Sequence, residues 1–238
     1  MSRQFTLTEH IYAVLREELL TCRLVPGERL NIKETSERHG VSLGAVREAL
    51  SRLTSEGFVT ADKRRGFRAA PISIADLKDL VSVRANIEGQ CLRRAIEVGG
   101  LDWESAIVAA GHRLSKTPIV MPDAAAPKLT EEYVLAHAAF HAALVSACDS
   151  SWLMRLRDWL YAQSERYRYL TVPLGRADRD IAGEHEALQT ATLARDANRA
   201  LALLEQHLSR TAEVLMAGVE ASEVLDTRVP ARRQFGSR

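Results

Sequence analysis

The chain has 238 residues, with 32 lysines and arginines against 31 aspartates and glutamates. This length supports one large or two modest domains with a real core. Charge is uneven, because residues 1–71 hold 12 basic and 9 acidic side chains and the rest hold 20 and 22. From the polar N-terminus we expect no signal peptide, and we expect no apolar run to span a bilayer. Three cysteines without metal-motif spacing predict reduced thiols in a cytoplasmic protein.

Abundant alanine, leucine, arginine and glutamate favour helices. A first helix is predicted over residues 7–22, with Thr8 as its cap and an apolar stripe that includes Ile11 and Leu15. Pro26 and Gly27 then predict a turn.

Residues 31–53 predict two short helices joined by a tight turn. The first covers about 33–39 and ends at Gly40, a residue suited to the left-handed conformation. Ser42 can cap the second helix, whose apolar positions recur at i, i+3, i+4 and i+7. The outer face carries a small residue and an arginine, which suits the DNA major groove. An ordinary amphipathic helical hairpin explains this stretch equally well.

The following residues predict a β-hairpin with a cationic tip. The helix ends at Gly57, a β-prone segment follows, and a return strand begins after Gly66. The tip and return strand offer basic side chains that can reach phosphates or the minor groove: Lys63, Arg64, Arg65 and Arg68. A lone basic turn is usually solvated, but one directly behind a helix-turn-helix favours DNA binding.

After a linker at residues 69–72, the pattern is entirely helical. Six helices are predicted at about 73–98, 102–115, 128–148, 150–169, 177–194 and 196–219. The proline-containing segments 117–127 and 171–175 separate helices. We expect a mainly α protein: a winged helix-turn-helix at 1–71, an antiparallel helical bundle at 72–221, and a frayed tail at 222–238.

Four histidines fall on inward-facing stripes of three bundle helices. His137 and His141 are one turn apart, while His185 and His207 lie on separate apolar stripes. Buried imidazoles need partners, and a divalent metal would supply a common one. Hydrogen-bonded core histidines explain the pattern about as well.

The first seventy residues resemble the winged-helix head of GntR-family bacterial transcription regulators. The matching landmarks are Pro26-Gly27, Gly40-Val41-Ser42, Val46-Arg47-Glu48-Ala49-Leu50, Arg52-Leu53, Glu56-Gly57 and Gly66. The sequence departs from the family where an Arg-Thr pair and a proline are usual, because Leu43, Gly44 and Ala45 stand there. The resemblance and the outer-face pattern together predict these DNA-binding residues: Lys33, Ser42, Leu43, Gly44, Arg47, Ser51, Lys63, Arg64, Arg65 and Gly66.

Residues 73–216 resemble the FCD ligand-binding domain of the FadR-type branch, in its shorter, six-helix, VanR-like version. The resemblance rests on His137-Ala-Ala-Phe140-His141, Glu184-His185, His207-Leu208 and the first-helix signature from Val83 to Gly89. It implies metal ligands at His137, His141, His185 and His207, with His137 standing where the family usually has aspartate. An all-histidine set favours zinc or nickel over harder ions. The implied effector-binding residues are Arg84, Glu88 and Tyr133.

These features predict a regulator that binds operator DNA as a homodimer and senses a small acidic metabolite beside a divalent metal. A metal-dependent enzyme, with Glu184 as a base, is one alternative. A DNA-binding dimer without metal is another. Arg84 and Glu88 are i, i+4, so a simple helix-face salt pair also explains them. The run 165–169 is expected to be an exposed helix face with some core tyrosines.

Overall fold

The computed structural model describes residues 6–62, 66–120, 129–171 and 179–222. Backbone contacts divide the chain into two compact units: the first is Met1–Asp76 together with Ala217–Arg238, and the second is Leu77–Met216. The predicted tip residues Lys63–Arg65 and tail residues 223–238 lie outside the described ranges.

The first unit is a winged helix-turn-helix, as the sequence predicts. Its sheet has the order β1-β3-β2, with both neighbouring pairs antiparallel. The short first strand was not predicted. It pairs with the return strand of the hairpin, so the Pro-Gly turn is joined to the wing. The elements are α1 (Leu7–Leu20), β1 (Arg29–Leu30), α2 (Ile32–His39), α3 (Leu43–Ser55), β2 (Val59–Asp62) and β3 (Gly66–Ala69).

Local capping explains where these helices begin and end. Thr6 caps α1 through a capping box with Glu9, so the predicted cap at Thr8 is wrong by two residues. Gly40 ends α2 in the left-handed conformation, with φ of 64°. Ser42 caps α3 as predicted, its Oγ accepting a hydrogen bond from the Ala45 amide at 3.2 Å.

The buried side of α3 packs on α1 to form the core of this unit. Val46, Leu50 and Leu53 on α3 are fully buried, as are Ile11 and Leu15 on α1. Burying an aliphatic side chain stabilises the fold by about 1.5–3 kcal/mol, so this contact fixes the opposite, exposed side of α3 in space.

The second unit is all helical within the residues that the structure describes. It contains six helices: α4 (Ile74–Val98), α5 (Leu101–Lys116), α6 (Glu131–Val145), α7 (Ser151–Thr171), α8 (Ile181–Leu193) and α9 (Ala197–Ser222). The number of helices agrees with the prediction, although α6 begins three residues later. Thr130 sets that start, because its side chain accepts a hydrogen bond from the Tyr133 amide at 3.0 Å.

An apolar core joins α4, α5, α6, α8 and α9. Phe140, Leu144, Leu188 and Leu204 are essentially inaccessible to solvent and contact one another within one cluster. This packing fixes the inward faces of α6, α8 and α9, which also carry the four histidines. Among the described helices, none combines the length and the hydropathy needed to span a lipid bilayer.

Candidate metal and effector site, and the DNA-reading face

The exposed side of α3 presents four of the predicted DNA-binding residues. Leu43, Gly44, Arg47 and Ser51 are all exposed, and we call them the reading face. Leu43 retains 54% of its accessible surface despite being a large apolar residue. Gly44 borders open space, since a Cβ built there would meet only Ser42 Oγ at 3.8 Å. The face is therefore free to approach another molecule closely.

The other predicted DNA-binding residues differ in what they do in the fold. Ser42 is exposed but caps α3 through its Oγ. Lys33 is exposed and lies 3.9 Å from Glu37, a distance typical of a weak surface ion pair. Gly66 opens the return strand with φ of 74°, which favours glycine. Arg68 donates from Nη1 to the Gly27 carbonyl at 2.9 Å, so it braces the Pro-Gly turn.

In the second unit, the four histidines come together in the interior. One ring nitrogen from each lies within 4.8 Å of the others. The exposed fraction ranges from 0% for His141 to 7% for His137. We call His137, His141, His185 and His207 the histidine cluster. A cation bound at 2.0–2.1 Å from each nitrogen keeps any two ligands within about 4.2 Å, so only a small contraction is needed.

Burial makes these imidazoles neutral. Desolvation lowers the pKa of His137 and His141 well below the ordinary value of 6.5, and the surrounding positive charges lower it further. The same cause lowers the pKa of His185 to about 3. Burial also lowers the pKa of His207, although its hydrogen bond to Glu184 opposes this. Neutral imidazoles are the form that binds metals.

Glu184 fixes the orientation of His207. Its Oε2 lies 2.8 Å from His207 Nδ1, and Arg179 bonds both carboxylate oxygens at 2.6 and 3.0 Å. Burial opposes ionisation of Glu184, but the hydrogen bonds from His207 and Arg179 outweigh it and lower the pKa. The ionised Glu184 carboxylate accepts a hydrogen bond from the protonated Nδ1 of the neutral His207 ring, which leaves the lone pair on Nε2.

Glu88 holds two buried guanidinium groups beside the cluster. Arg84 Nε donates to Glu88 Oε2 at 2.8 Å, and Arg157 Nη2 donates to Oε1 at 3.3 Å. Glu88 Oε1 also lies 3.8 Å from His141 Nδ1. Burial raises the pKa of Glu88, but the two arginines lower it by more. Arg84 and Glu88 are therefore a buried pair within a larger network and not a surface salt pair.

Two tyrosines line the same region. The Tyr161 hydroxyl lies 3.5 Å from His137 Nδ1, and its ring lies 4.8 Å from the Arg84 guanidinium and 4.7 Å from that of Arg157. Tyr133 is buried, with its ring centroid 5.8 Å from that of His137. Burial raises the pKa of both tyrosines, so each hydroxyl keeps its proton and can donate a hydrogen bond.

Several buried polar atoms here lack a partner among the residues that the structure describes. They are both ring nitrogens of His141, Nε2 of His185, Nη2 of Arg84 and Nε of Arg157. A buried polar atom left without a hydrogen bond lowers the stability of the fold by about 1–3 kcal/mol. A ligand that bonds to these atoms would remove that cost. The imidazole nitrogens fit a borderline-soft divalent cation, and the guanidinium N–H fits an anion.

Sequence reasoning missed the contribution of α7. The run 165–169 was expected to be an exposed face with some core tyrosines. Tyr167 is indeed buried, but Glu165 and Arg166 are only 8% and 3% exposed, so the expected exposure of the charged residues was wrong. Arg157 and Ser164 were not singled out, yet Ser164 Oγ accepts from Arg84 Nη1 at 2.7 Å. The inward face of α7 is polar, so a search for apolar periodicity could not find it. The spacing of seven between Arg157 and Ser164 was the available signal.

Comparison with known proteins identifies both units. Residues 7–68 match the family described as "Bacterial regulatory proteins, gntR family", and residues 79–210 match the FCD domain. The chain belongs to the GntR family. Members of this family bind operator DNA, and FCD domains bind small-molecule effectors. The protein is accordingly a bacterial transcriptional regulator with an FCD domain, and not an enzyme.

Two relatives span most of the chain. The uncharacterized HTH-type transcriptional regulator BphR of Paraburkholderia xenovorans (strain LB400) is 38% identical over 88% of this chain and 85% of its own length. The HTH-type transcriptional repressor GlaR of Escherichia coli (strain K12) is 35% identical over 83% and 90%. The solved structure of E. coli McbR/YncC has a TM-score of 0.71, 20% identity, and coverage of 90% of this chain and 99% of its own; it supports the fold.

This chain departs from the usual GntR-family residues at two places, and the structure describes both. His137, where aspartate is usual, faces the cluster with its ring centroid 4.5 Å from that of His141. Leu43 and Gly44, where Arg-Thr is usual, lie on the exposed face of α3. The alternative of a metal-dependent enzyme required Glu184 as a general base. Glu184 is instead bonded to Arg179 and His207, and its lowered pKa makes it a poor proton acceptor.

Proposed function

We propose that this regulator binds a divalent metal at the histidine cluster and a small acidic metabolite beside it, and that it binds operator DNA as a homodimer. The observation that carries the proposal is the convergence of four buried, neutral imidazoles, three nitrogens of which lack a hydrogen-bond partner within the described ranges. Core histidines that serve only packing would normally be hydrogen-bonded.

The ligands proposed for the metal are His137, His141, His185 and His207. Nitrogen donors favour zinc or nickel over magnesium or manganese, which prefer oxygen. When bound, the metal would supply a Lewis-acidic position for an oxygen of the effector. Glu184 serves as the outer carboxylate that orients His207, and Glu88 lies near enough to His141 Nδ1 to do the same after a small shift.

The charge of the site supports an acidic effector. Arg84 and Arg157 share the carboxylate of Glu88, and the four imidazoles are neutral. A divalent cation would add two positive charges without an anionic protein ligand among the four histidines. Buried charge is costly unless it is compensated, so an anion is the complementary ligand.

Arg84 is the residue proposed to bind the acid. Its Nε and Nη1 are fixed by Glu88 and Ser164, which leaves Nη2 to donate. Glu88 is better suited to hold Arg84 in place than to touch an anion, since both its oxygens accept from guanidinium groups. Tyr133 and Tyr161 can add hydroxyl contacts because both remain protonated.

Operator binding is assigned to the reading face, with the wing residues Lys63–Arg65 as proposed phosphate contacts. Arg47 can bond a guanine edge, and Ser51 either a base or a phosphate. One short helix and a wing make few contacts, so a homodimer on a two-fold operator would raise the affinity by avidity. Effector binding would regulate only through unequal affinity for the DNA-competent and incompetent states.

Metal analysis of the purified protein tests the proposal. We expect about one zinc or nickel per chain in the wild type and none in the H141A/H185A variant. The control is His112→Ala, an exposed histidine on α5, which should retain the metal. If the wild type holds no stoichiometric metal after dialysis with zinc, or if H141A/H185A retains it, the sensor assignment fails. The dimer without metal would then be the better account.

A further inference from the structure

The second unit contains two cysteines whose thiols are in contact. Cys91 lies on α4 and is fully buried in the apolar core, whereas Cys148 is half-buried and follows the end of α6. The two side chains share a hydrogen bond, although they are distant in sequence. We call Cys91 and Cys148 the thiol pair.

Contacts on both sides of the thiol pair hold these two segments together. Arg94, one turn after Cys91, donates from Nε to Asp149 Oδ1 at 2.6 Å, and Asp149 directly follows Cys148. The Cys148 amide donates to the carbonyl of Val145, a buried core residue, at 2.9 Å. The placement of the two sulfurs therefore follows from an ion pair, a backbone hydrogen bond and apolar packing.

We propose that the thiol pair is an oxidation site, which forms an internal disulfide with a peroxide as the oxidant, and that this disulfide weakens acid binding at the neighbouring site. Disulfides inside cells are usually transient and redox-sensing, so a reduced resting state is compatible with this role. The oxidation site stands on the contacts of the two cysteines alone. Its effect on acid binding rests on the proposed function.

Burial divides the roles between the two thiols. Burial, and after it the neighbouring Cys148, raises the pKa of Cys91 to about 12, so Cys91 keeps its proton. Cys148 is the member of the pair that solvent reaches. Because the thiolate and not the thiol is the nucleophile, we assign the attack on peroxide to the thiolate form of Cys148. Cys91 is then the resolving thiol, and its burial protects it from direct oxidation.

The oxidation takes two balanced steps. In the first, the Cys148 thiolate attacks one oxygen of hydrogen peroxide. The S–O bond forms, the O–O bond breaks, and the departing hydroxide takes up the proton that Cys148 lost. In the second, Cys91 attacks the sulfur of the Cys148 sulfenic acid. The S–S bond forms, the S–O bond breaks, and the hydroxyl leaves as water with the Cys91 proton. Two thiols are oxidised to one disulfide, and one peroxide is reduced to two waters.

The thiol pair lies beside the guanidinium network of the proposed effector site. Glu88 precedes Cys91 by three residues, so both lie on one side of α4, and Glu88 and Arg157 each act electrostatically on Cys91. Glu88 also holds Arg84, through the bond from Nε to Oε2 at 2.8 Å. A displacement of this turn of α4 therefore reaches the arginine that is proposed to bind the acid.

Disulfide formation supplies such a displacement. An S–S bond is about 2.05 Å long, much shorter than a hydrogen bond between two thiols. Closing it draws the Cys91 turn of α4 toward the turn between α6 and α7, where Cys148 lies. Because Glu88 is on the same side of α4, its carboxylate moves relative to Arg157 on α7. We expect this to misalign Arg84 Nη2 and to lower the affinity for the acid.

Peptide mapping of the full-length protein tests the oxidation site. Wild type treated with a few equivalents of hydrogen peroxide should lose two hydrogen atoms and give a linked Cys91–Cys148 peptide, which dithiothreitol separates. The control is Cys22→Ser, in the first unit, which should form the same disulfide, whereas Cys148→Ser should form none. In Cys91→Ala, which lacks the resolving thiol, dimedone should trap Cys148 as its sulfenic acid.

Two outcomes would overturn the oxidation site, whatever the metal content. One is that both thiols remain free after peroxide treatment. The other is that Cys148 is linked only to a cysteine of another chain. Equal dimedone labelling of Cys148 in the wild type and in Cys91→Ala would remove Cys91 as the resolving thiol.

Calorimetry tests the effect on the site. The probe is whichever of succinate, malate and lactate most raises the melting temperature of the reduced wild type. We expect oxidation to weaken its binding about 5- to 10-fold in the wild type, within the usual range of coupling between sites, and to leave Cys148→Ser unchanged. Equal affinities of the oxidised and reduced wild type would overturn the coupling. A reduced wild type that binds none of the three acids would overturn the coupling together with the proposed effector, while the peptide map would still decide the oxidation site.

Discussion

The reading face and the histidine cluster present their side chains in opposite environments. Leu43, Gly44 and Arg47 are exposed to solvent, and the packing of the protein does not require a ligand to be bound to them. The cluster is buried, and atoms such as His141 Nδ1 and Nε2 lack partners in the part of the chain that the structure describes. A buried site with unsatisfied polar atoms restricts its ligand strongly, through the charge of the site and the type of ligating atom. An exposed face restricts its ligand mainly through shape and through which side chains can reach it.

Each region also carries one departure from its family pattern. In the head, Leu43 and Gly44 stand where the family pattern has polar side chains, at an exposed position away from the core. In the helical unit, His137 replaces a carboxylate at a buried position, which changes the charge of the whole site. The substitutions below test the functions proposed for these two regions independently of each other.

The largest effect is expected for Arg84→Gln. Because Arg84 Nη2 is a buried donor without a partner among the described residues, the variant should bind acids at least about 30-fold more weakly, a loss of about 2–5 kcal/mol. Calorimetry with whichever dicarboxylate or hydroxy acid most raises the wild-type melting temperature measures this. Arg94→Gln, which removes a half-exposed arginine paired with Asp149, is the control and should bind normally. Normal acid binding by Arg84→Gln would remove Arg84 from the site.

Arg47→Ala should weaken operator binding about 10- to 100-fold while leaving metal and acid binding unchanged. One arginine bonded to a base edge is worth about 1–3 kcal/mol. Fluorescence anisotropy on a duplex selected by the wild type from random sequence measures the change. Arg23→Ala, an exposed arginine outside α3, controls for loss of one charge. An unchanged affinity would show that α3 does not read the operator.

Glu184→Gln should reduce metal affinity about 10-fold, because the outer carboxylate both orients His207 and raises its basicity. Competition with a coloured zinc chelator provides the measurement. Glu205→Gln, an exposed position on α9, is the matched control. Equal affinities for the two variants would mean that the Glu184–His207 bond serves packing alone.

The smallest effect concerns Leu43. An exposed aliphatic side chain in the major groove can contact the methyl group of thymine. Replacing the contacted thymine by deoxyuridine should cost the wild type about 0.8 kcal/mol, about fourfold in affinity, for the one methyl group lost. The Leu43→Ala protein should not distinguish the two duplexes. If no thymine replacement affects the wild type more than Leu43→Ala, Leu43 does not read the methyl.

Residue patterns predicted the parts of the molecule that depend on periodicity and on local capping. The stripes of α6, α8 and α9 place His137, His141, His185 and His207 inward because apolar neighbours such as Phe140 and Leu188 decide which face is buried. The turn at Gly40 and the cap at Ser42 were predictable because each depends on one residue's local conformation.

What could not be predicted depends on contacts distant in sequence. Arg157 and Ser164 are buried against Glu88 and Arg84 on another helix, and half-buried Tyr161 lies against His137. A polar stripe does not reveal such partners. The strand Arg29–Leu30 is two residues long and exists through its pairing with β3. The cap at Thr6 was misassigned because Thr8 lies only two residues away and only the position of Glu9 distinguishes the two.

X-ray absorption spectroscopy on the zinc-loaded wild type and on His137→Asp tests the central claim most directly. We expect a first shell of nitrogen and oxygen atoms at about 2.0–2.1 Å, with the multiple scattering of several imidazoles and no sulfur. His137→Asp should retain the metal and lose the scattering of one imidazole. A shell containing sulfur, or an imidazole count that is the same in both proteins, would contradict a metal centre built from these four histidines.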